Sequence, residues 1–240
     1  MTAVVLTAWA VLAVVMAGLW YRQLATRNAT SVDAAWSGGL ALLALTYPWF
    51  VDGDPARRAL VAALGAAWGG RLAWYLMTER VLGHAEEDGR YRALRVHWGE
   101  RAPSRFFLVY QAQAAVAVLF SLPMLAAMEA SPPGALAAAG ILVWGIAVAG
   151  EAIADHFEWI HWWAYVLIGA GSPLTWIGPV LMLVFLFRVS GIPYTELQAL
   201  KSRGERYRDY QRSTSTFVPW FPSAAAGAAQ VRARSASRNP

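Results

Sequence analysis

Residues 151–163 decide how this chain must fold, and they read Glu151-Ala-Ile-Ala-Asp155-His156-Phe157-Glu158-Trp159-Ile160-His161-Trp162-Trp163. Carboxylates and histidines stand here between apolar runs that are long enough to cross a bilayer. An ionisable group inside a membrane costs roughly 3 kcal/mol or more, so it marks a substrate, proton or cofactor site by default. This stretch is therefore the first candidate for a functional site.

The composition around this stretch is that of a membrane protein. The chain has 240 residues, of which 58% are hydrophobic, and it contains 13 tryptophans. Its mean hydropathy is +0.38. These values predict one all-α, polytopic membrane domain over residues 1–222. The Ala/Ser/Arg-rich residues 223–240 are predicted to form a disordered tail.

About seven apolar runs have the length of a membrane helix, which is about 17 to 25 residues. They cover residues 3–20, 34–51, 59–77, 106–128, 134–155, 157–171 and 173–189. Arginines cluster in the loops after the first and third runs and after the seventh, whereas the opposite side has only Arg57 and Arg58. Cytoplasmic loops carry such an excess, which predicts an outside N-terminus and a cytoplasmic C-terminus. The net charge of +5 then reflects topology and predicts no nucleic-acid partner.

The junction between the fifth and sixth runs leaves no room for a turn. A single helix over residues 134–171 would be about 57 Å long, almost twice the hydrocarbon thickness. Two antiparallel helices need a connection of a few residues, which Asp155 to Phe157 hardly supplies. Either both helices shorten to form a loop, or a segment is missing.

Arg71 lies inside the third run and needs a partner, for which Glu151, Asp155 and Glu158 are the candidates. The pair would form either a functional polar site or an ion pair that fixes helix register. No metal site is expected, because His156 and His161 are five residues apart and no His-Glu-x-x-His pattern occurs. Gly65 and Gly69 would allow close helix packing.

Residues 194–212 have the pattern of a basic helix at the cytoplasmic interface. It would serve either as an anchor on anionic membrane lipid or as a lid whose arginines, such as Arg203, meet cofactor phosphates.

Three stretches of the sequence resemble motifs of a known protein family. They are residues 31–36 (Ser-Val-Asp-Ala-Ala-Trp), residues 87–95 with Trp98-Gly99, and residues 190–193 leading to residues 207–220, which read Tyr-Arg-Asp-Tyr-Gln-Arg-Ser-Thr-Ser-Thr-Phe-Val-Pro-Trp. Over residues 1–222 the chain resembles the bacterial uncharacterised branch of the steroid 5-alpha-reductase superfamily. The resemblance implies seven membrane helices in a bacterial inner membrane. It also implies an NADPH-dependent reductase of a carbon-carbon double bond conjugated to a ketone, in a lipophilic, steroid- or isoprenoid-like substrate.

The resemblance also implies roles for individual residues. Asp155 and Glu158 correspond to two acids that hold the nicotinamide-ribose end of NADPH, with Glu151 beside them. Arg71 and Tyr75 correspond to a polar pair near the pocket, Tyr210 belongs to the closing motif, and Asp33 is a candidate for contacting substrate. Glu158, Asp33 and Tyr75 are the expected catalytic residues.

The chain departs from the family at two places. Members carry a cytoplasmic, cofactor-binding segment of some thirty residues at the position between Asp155 and Phe157, where this chain has none. Trp68 stands where the steroid enzymes have the tyrosine that polarises the enone. Two further hypotheses stay open: a membrane S-adenosylmethionine-dependent methyltransferase of the isoprenylcysteine type, and a non-catalytic truncated relative.

Overall fold

A computed structural model of the protein describes residues 2–83, 86–129, 134–153, 160–169 and 171–189, with residues 200, 204, 205, 207 and 208. Every regular element in these ranges is helical, as the sequence predicts. The α-helices are α1 (Thr2–Thr26), α2 (Ser31–Thr46), α3 (Pro55–Tyr75), α4 (Gly89–Trp98), α5 (Ala102–Met128), α6 (Ala135–Ile153), α7 (His161–Ile168) and α8 (Ile177–Val184).

Shorter helical turns extend several of these helices. Leu76–Leu82 and Phe185–Val189 are π-helical, while Tyr47–Trp49, Gly99–Arg101 and Pro173–Trp176 are 3-10 turns. Thr78 Oγ1 donates to the carbonyl of Trp74 at 2.9 Å, just where α3 passes into its π-helical extension. A hydroxyl that competes for a helix carbonyl in this way disturbs the regular ladder.

The helices pack with alternating direction, so the described chain has two ends. The loop after α1 meets residues 86–95 at one end, where Ala29 N–H donates to Glu87. At the other end Gly53 lies against the carbonyl of Met128, and Gly169 packs against Ala127. We call these the arginine-rich end and the opposite end. The arginine-rich end corresponds to the side predicted to be cytoplasmic.

Helix α5 is the centre of the bundle. It packs against α1, α2, α3, α7 and α8. Phe106, Tyr110, Met124 and Leu125 are among its fully buried side chains. The core is built around one long apolar helix, which fits a single domain.

Helices α2 and α3 approach closely where α3 carries glycine, as the spacing of Gly65 and Gly69 predicts. A Cβ on Gly65 would lie 2.7 Å from the Cβ of Ala44. A Cβ on Gly69 would lie 2.9 Å from the carbonyl oxygen of Ser37. Only glycine fits at these points, because the neighbour at Gly69 is backbone and cannot move away.

Two arginines near the start of α3 bind carbonyl groups of the protein itself. Arg57 is buried and donates from Nη1 to the carbonyl of Ile168, the last residue of α7. Arg58 Nη1 donates to the carbonyls of Pro48 and Val51 at 2.8 and 3.0 Å. The sequence predicts both residues as loop charges, whereas the structure uses them to hold helix ends together at the opposite end.

At the junction after Glu151, α6 ends at Ile153 and α7 begins at His161 in the described ranges. Residues 154–159, on which the two predicted forms of the junction differ, lie outside the described residues. The two helices are antiparallel, since Gly140 near the start of α6 lies against Ala164 and Ile168 of α7. With 8 residues, α7 is far shorter than a membrane helix.

Two helices in the described ranges are long and apolar enough to cross a bilayer, Thr2–Thr26 and Gly89–Met128. Ala135–Glu151 and Pro173–Arg188 are apolar but shorter. The seven-span topology therefore stays a prediction. Residues 223–240 and most of 194–212 lie outside the described residues.

Candidate functional site

Arg71 and Glu151 meet near the arginine-rich end of the bundle. Arg71 is on α3, one turn before the helix ends at Tyr75, and Glu151 is on the last turn of α6. The guanidinium Nη2 lies 2.8 Å from the Glu151 Oε1, and the side chain of Glu151 is only 8% exposed. The sequence predicts an acidic partner for Arg71 among Glu151, Asp155 and Glu158, and the described ion pair is with Glu151.

Part of the Arg71 guanidinium makes no hydrogen bond in the described part of the chain. The Nη2 group is close to Glu151 but is not aligned for a hydrogen bond, and Nε has no hydrogen-bond partner in the described part of the chain. The side chain as a whole is 35% exposed, whereas its partner is nearly buried. The Nε and Nη2 nitrogens are both enclosed by the protein, so the exposed part of the Arg71 side chain consists of its other atoms.

The second oxygen of Glu151 is held by Trp68, which is fully buried on α3 one turn before Arg71. The indole Nε1 donates to Glu151 Oε2 at 3.0 Å. The resemblance places Trp68 at the position of the tyrosine that polarises an enone. Because its single N–H already points at Glu151, Trp68 has no donor left for a substrate oxygen in this arrangement.

His161 completes the cluster at the first residue of α7. Its ring is fully buried and lies against the Trp68 indole, with ring centroids 4.2 Å apart and planes at 30°. It also contacts the ring of Trp162 at 4.5 Å. The sequence singles out His161 only as an improbable metal ligand, and no group of metal-binding side chains is found in the described ranges. The contact between His161 and Trp68 could not be predicted from the sequence, because the two residues are far apart in the chain and no local pattern links them.

Asp33, the predicted substrate contact, lies in a different polar network. Its Oδ1 accepts from the Tyr91 hydroxyl at 2.5 Å and its Oδ2 from Arg90 Nη2 at 2.8 Å. Arg90 also binds Asp88 at 3.1 Å. No described contact joins Asp33 to Arg71 or Glu151, so the structure does not bring these predicted site residues together.

The same network ties the loop after α1 to the start of α4. Glu87 accepts from Ala29 N–H at 2.9 Å and pairs with Arg95 at 2.7 Å. Arg95 in turn donates to Gln23 at 3.0 Å. We call the contacts among residues 23–33 and 86–95 the loop clasp. Its two halves overlap the first two stretches on which the family resemblance rests.

Asp88, at the edge of the loop clasp, has a pKa below the ordinary value of an aspartate. Burial raises its pKa, but hydrogen bonds from Arg90 and the charges of Arg90 and Arg80 outweigh burial and hold the pKa below its ordinary value. Its Oδ1 also accepts from the backbone N–H of Arg90 and caps α4. The carboxylate form of Asp88 thus stabilises the clasp.

Tyr75 is at the last position of α3, and its side chain is 52% exposed beside the still more exposed Trp74. It lies one turn from Arg71 on the same face of the helix. The other predicted site residues, Asp155, Glu158, Arg203 and Tyr210, lie outside the described residues.

Comparison with known proteins identifies a family. The chain matches the model of the protein family of unknown function DUF1295 over residues 19–159 and 156–214. The two matches meet at residues 156–159, between α6 and α7. No curated protein and no solved structure matches the chain. Since the matches cover most of its length, the chain belongs to the DUF1295 family, which is part of the steroid 5-alpha-reductase-like superfamily.

Proposed function

We propose that the protein is an integral membrane reductase that uses NADPH to reduce a carbon-carbon double bond conjugated to a ketone in a lipophilic substrate. The observation that carries the proposal is the Arg71–Glu151 pair, which is held among apolar helices near the arginine-rich end. A charged pair in such a place is costly and is typical of a functional site. Membership of the steroid 5-alpha-reductase-like superfamily favours a reductase among the possible functions.

The partly exposed side chain of Arg71 fits a role in holding the cofactor. NADPH supplies a hydride when it is bound. Arg71 would hold a carbonyl or anionic group of it through the part of its guanidinium side chain that is exposed, which is 35% of the side chain. Glu151 would fix the orientation of the guanidinium, and Trp68 would fix Glu151. Asp155, Glu158, Arg203 and Tyr210 are the other residues that we propose for the cofactor site.

The substrate oxygen needs a different donor from the one in the steroid enzymes. The N–H of Trp68 is engaged by Glu151. Tyr75 is half exposed at the same end of α3 and carries a hydroxyl that could donate to a ketone. Tyr75 is thus our candidate for stabilising negative charge on the substrate oxygen, with Glu158 and Asp33 as the further catalytic candidates from the resemblance.

Exposed aromatic side chains support a multi-pass arrangement of the bundle. At the opposite end Trp49, Phe50 and Trp176 are exposed, and at the arginine-rich end Tyr21 and Trp74 are. Tryptophan and tyrosine concentrate at the two interfaces of a bilayer. Helix α3 between these groups, from Pro55 to Trp74, rises by about 29 Å, which matches a hydrocarbon core of about 30 Å. We propose that all seven apolar runs lie in the membrane, with the arginine-rich end in the cytoplasm.

The proposed cofactor site lacks one segment that the family resemblance implies. The two family matches meet at residues 156–159, where the resemblance expects a cofactor-binding segment. We propose that this segment is missing and that reductase activity is impaired as a result. The intact mass of the expressed protein tests this point: a surplus of about 3 to 4 kDa over the 26.2 kDa of the sequence would contradict a missing segment.

Ligand binding separates the reductase from its alternatives. Purified full-length protein is melted with NADPH and, separately, with S-adenosylmethionine, since a ligand that binds the native state raises the melting temperature. If the protein is the proposed reductase, NADPH should raise the melting temperature of the wild-type protein but not that of Arg71→Gln. Arg92→Gln also removes one arginine, at a site away from Glu151 and Trp68, and should still be stabilised by NADPH. NADPH oxidation with a panel of lipophilic enones then measures turnover. Stabilisation by S-adenosylmethionine alone would favour the methyltransferase.

A specific observation also favours the non-catalytic relative. Arg71 pairs with Glu151, and Trp68 donates to the same carboxylate, as in an ion pair that only fixes helix register. In that case Arg71→Leu would lower stability and neither ligand would stabilise the wild-type protein.

A further inference from the structure

Six arginines lie between the end of α3 and the second turn of α5, and they fall into two groups. Arg80, Arg90, Arg92 and Arg95 each have an acidic partner within 3.2 Å. Arg101 and Arg105 are exposed and have no ion-pair partner in the described part of the chain. Charge in the first group is neutralised within the protein, whereas charge in the second group is available to a ligand.

The two available arginines line one open depression of about 620 Å³, together with His97, Trp98 and Glu100. With two arginines and one glutamate in its lining, the depression carries a net positive charge. Trp98 is half-buried, and its ring stacks edge-on against Phe106 with centroids 5.2 Å apart. The lining thus combines an aromatic side chain with two exposed cations.

The position of the depression along α5 corresponds to the headgroup layer of a bilayer. Met128 ends α5 at the opposite end of the bundle. With 27 residues, α5 is about 40 Å long, about 10 Å more than the hydrocarbon core. The excess corresponds to roughly the first seven residues of α5. Arg105 is one of these first seven residues, and Arg101 directly precedes α5. Both arginines therefore lie at the level of the lipid phosphates.

We propose that this depression binds the phosphate of an anionic phospholipid headgroup. Two guanidinium groups suit a phosphodiester, because each offers several N–H donors in a planar fork. A zwitterionic headgroup fits less well, since its ammonium would meet the same cations. Trp98 would lie at the glycerol level, as interfacial tryptophan commonly does. The site depends on α5 crossing the bilayer and is independent of the proposed reaction.

The test uses full-length protein in detergent with added phosphatidylglycerol or phosphatidylcholine. Native mass spectrometry counts retained lipids, and tryptophan fluorescence reports the melting temperature. We expect wild-type protein to retain phosphatidylglycerol in preference to phosphatidylcholine and to melt at a higher temperature with it. Arg101→Gln/Arg105→Gln should lose most of both effects. Arg92→Gln/Arg80→Gln, which removes two paired arginines from the same loop, should keep them.

Several outcomes would overturn the proposal. One is equal retention of the two lipids by wild-type protein, which needs no variant. Another is an equal loss in both double variants, which would indicate a nonspecific charge effect. If inorganic phosphate alone raised the melting temperature as much as phosphatidylglycerol does, the depression would be assigned to free phosphate. If the glutamine variant does not fold, Arg101→Lys/Arg105→Lys keeps the charge and should weaken phosphatidylglycerol retention without abolishing it. Unchanged retention in the lysine variant would count against guanidinium recognition.

Discussion

Trp68 and Glu151 are 83 residues apart in the chain, yet the indole of one donates to the carboxylate of the other at 3.0 Å. The bond joins α3 to α6 at the level where Arg71 meets the same carboxylate. These two described contacts of Glu151 come from one face of α3, one turn apart. Each of the two carboxylate oxygens thus contacts a side chain of α3.

Removing the indole donor should therefore destabilise the protein. Trp68→Phe keeps the ring contact with His161 but leaves Glu151 Oε2 without this hydrogen bond. A hydrogen bond to a charged group contributes about 1.5–3 kcal/mol, and we expect a loss of that size in the free energy of unfolding. Chemical denaturation in detergent measures it. Trp74→Phe, at a site that is 73% exposed, is the control and should change little.

The Arg71–Glu151 pair should show strong coupling in a double-mutant cycle. Glu151→Leu leaves the guanidinium without its counter-charge, and Arg71→Leu leaves a nearly buried carboxylate. Breaking a fully buried pair costs about 3–5 kcal/mol, and the 35% exposure of Arg71 should reduce that figure. The double variant should be more stable than the sum of the single losses predicts. Additive losses would show that the two side chains do not interact.

The sequence predicts this pair but could not predict the loop clasp. Arg71 needed an acidic partner because it lies inside an apolar run, and Glu151 was one of only three candidates. Asp33 offers no comparable constraint, since it stands at a helix start where water could satisfy it. Its partners Arg90 and Tyr91 are 57 and 58 residues away and become neighbours only when α1 to α4 pack. Local patterns do not carry that information.

Helix packing between α2 and α3 should tolerate no side chain at Gly69. Gly69→Ala would place Cβ 2.9 Å from the Ser37 carbonyl and 3.0 Å from the Ala41 backbone nitrogen. Overpacking of this kind typically costs about 1–3 kcal/mol. Gly70→Ala is a matched control on the next residue, where nothing lies within 4 Å of the added Cβ. Because alanine favours a helix, we expect Gly70→Ala to be neutral or stabilising when both variants are melted side by side.

Acid should weaken the loop clasp through Asp88. Its pKa in the folded protein lies below the ordinary value of about 3.9, so its carboxylate stabilises the fold above that pH. This contribution is lost as the pH falls from about 4 through the folded pKa. Asp88→Asn keeps an acceptor for the backbone of α4 but removes the charge.

Melting temperatures of wild-type protein and Asp88→Asn between pH 7 and pH 3 measure this effect. The gap between the two proteins should be widest near neutral pH and should narrow below about pH 4. A gap that stays constant down to pH 3 would mean that the charge of Asp88 makes no contribution.

The carbonyl contacts of Arg57 and Arg58 change how the charges of this chain bear on membrane orientation. The positive-inside comparison assigns these two arginines to the outer side as ordinary loop charges. In the folded protein Arg57 is buried on the Ile168 carbonyl, and Arg58 is bound to Pro48 and Val51. Guanidinium donors that the protein's own carbonyls engage are not free to bind lipid headgroups. If the bundle spans the membrane as proposed, the basic groups available to lipid are therefore concentrated at the arginine-rich end more strongly than the residue count indicates.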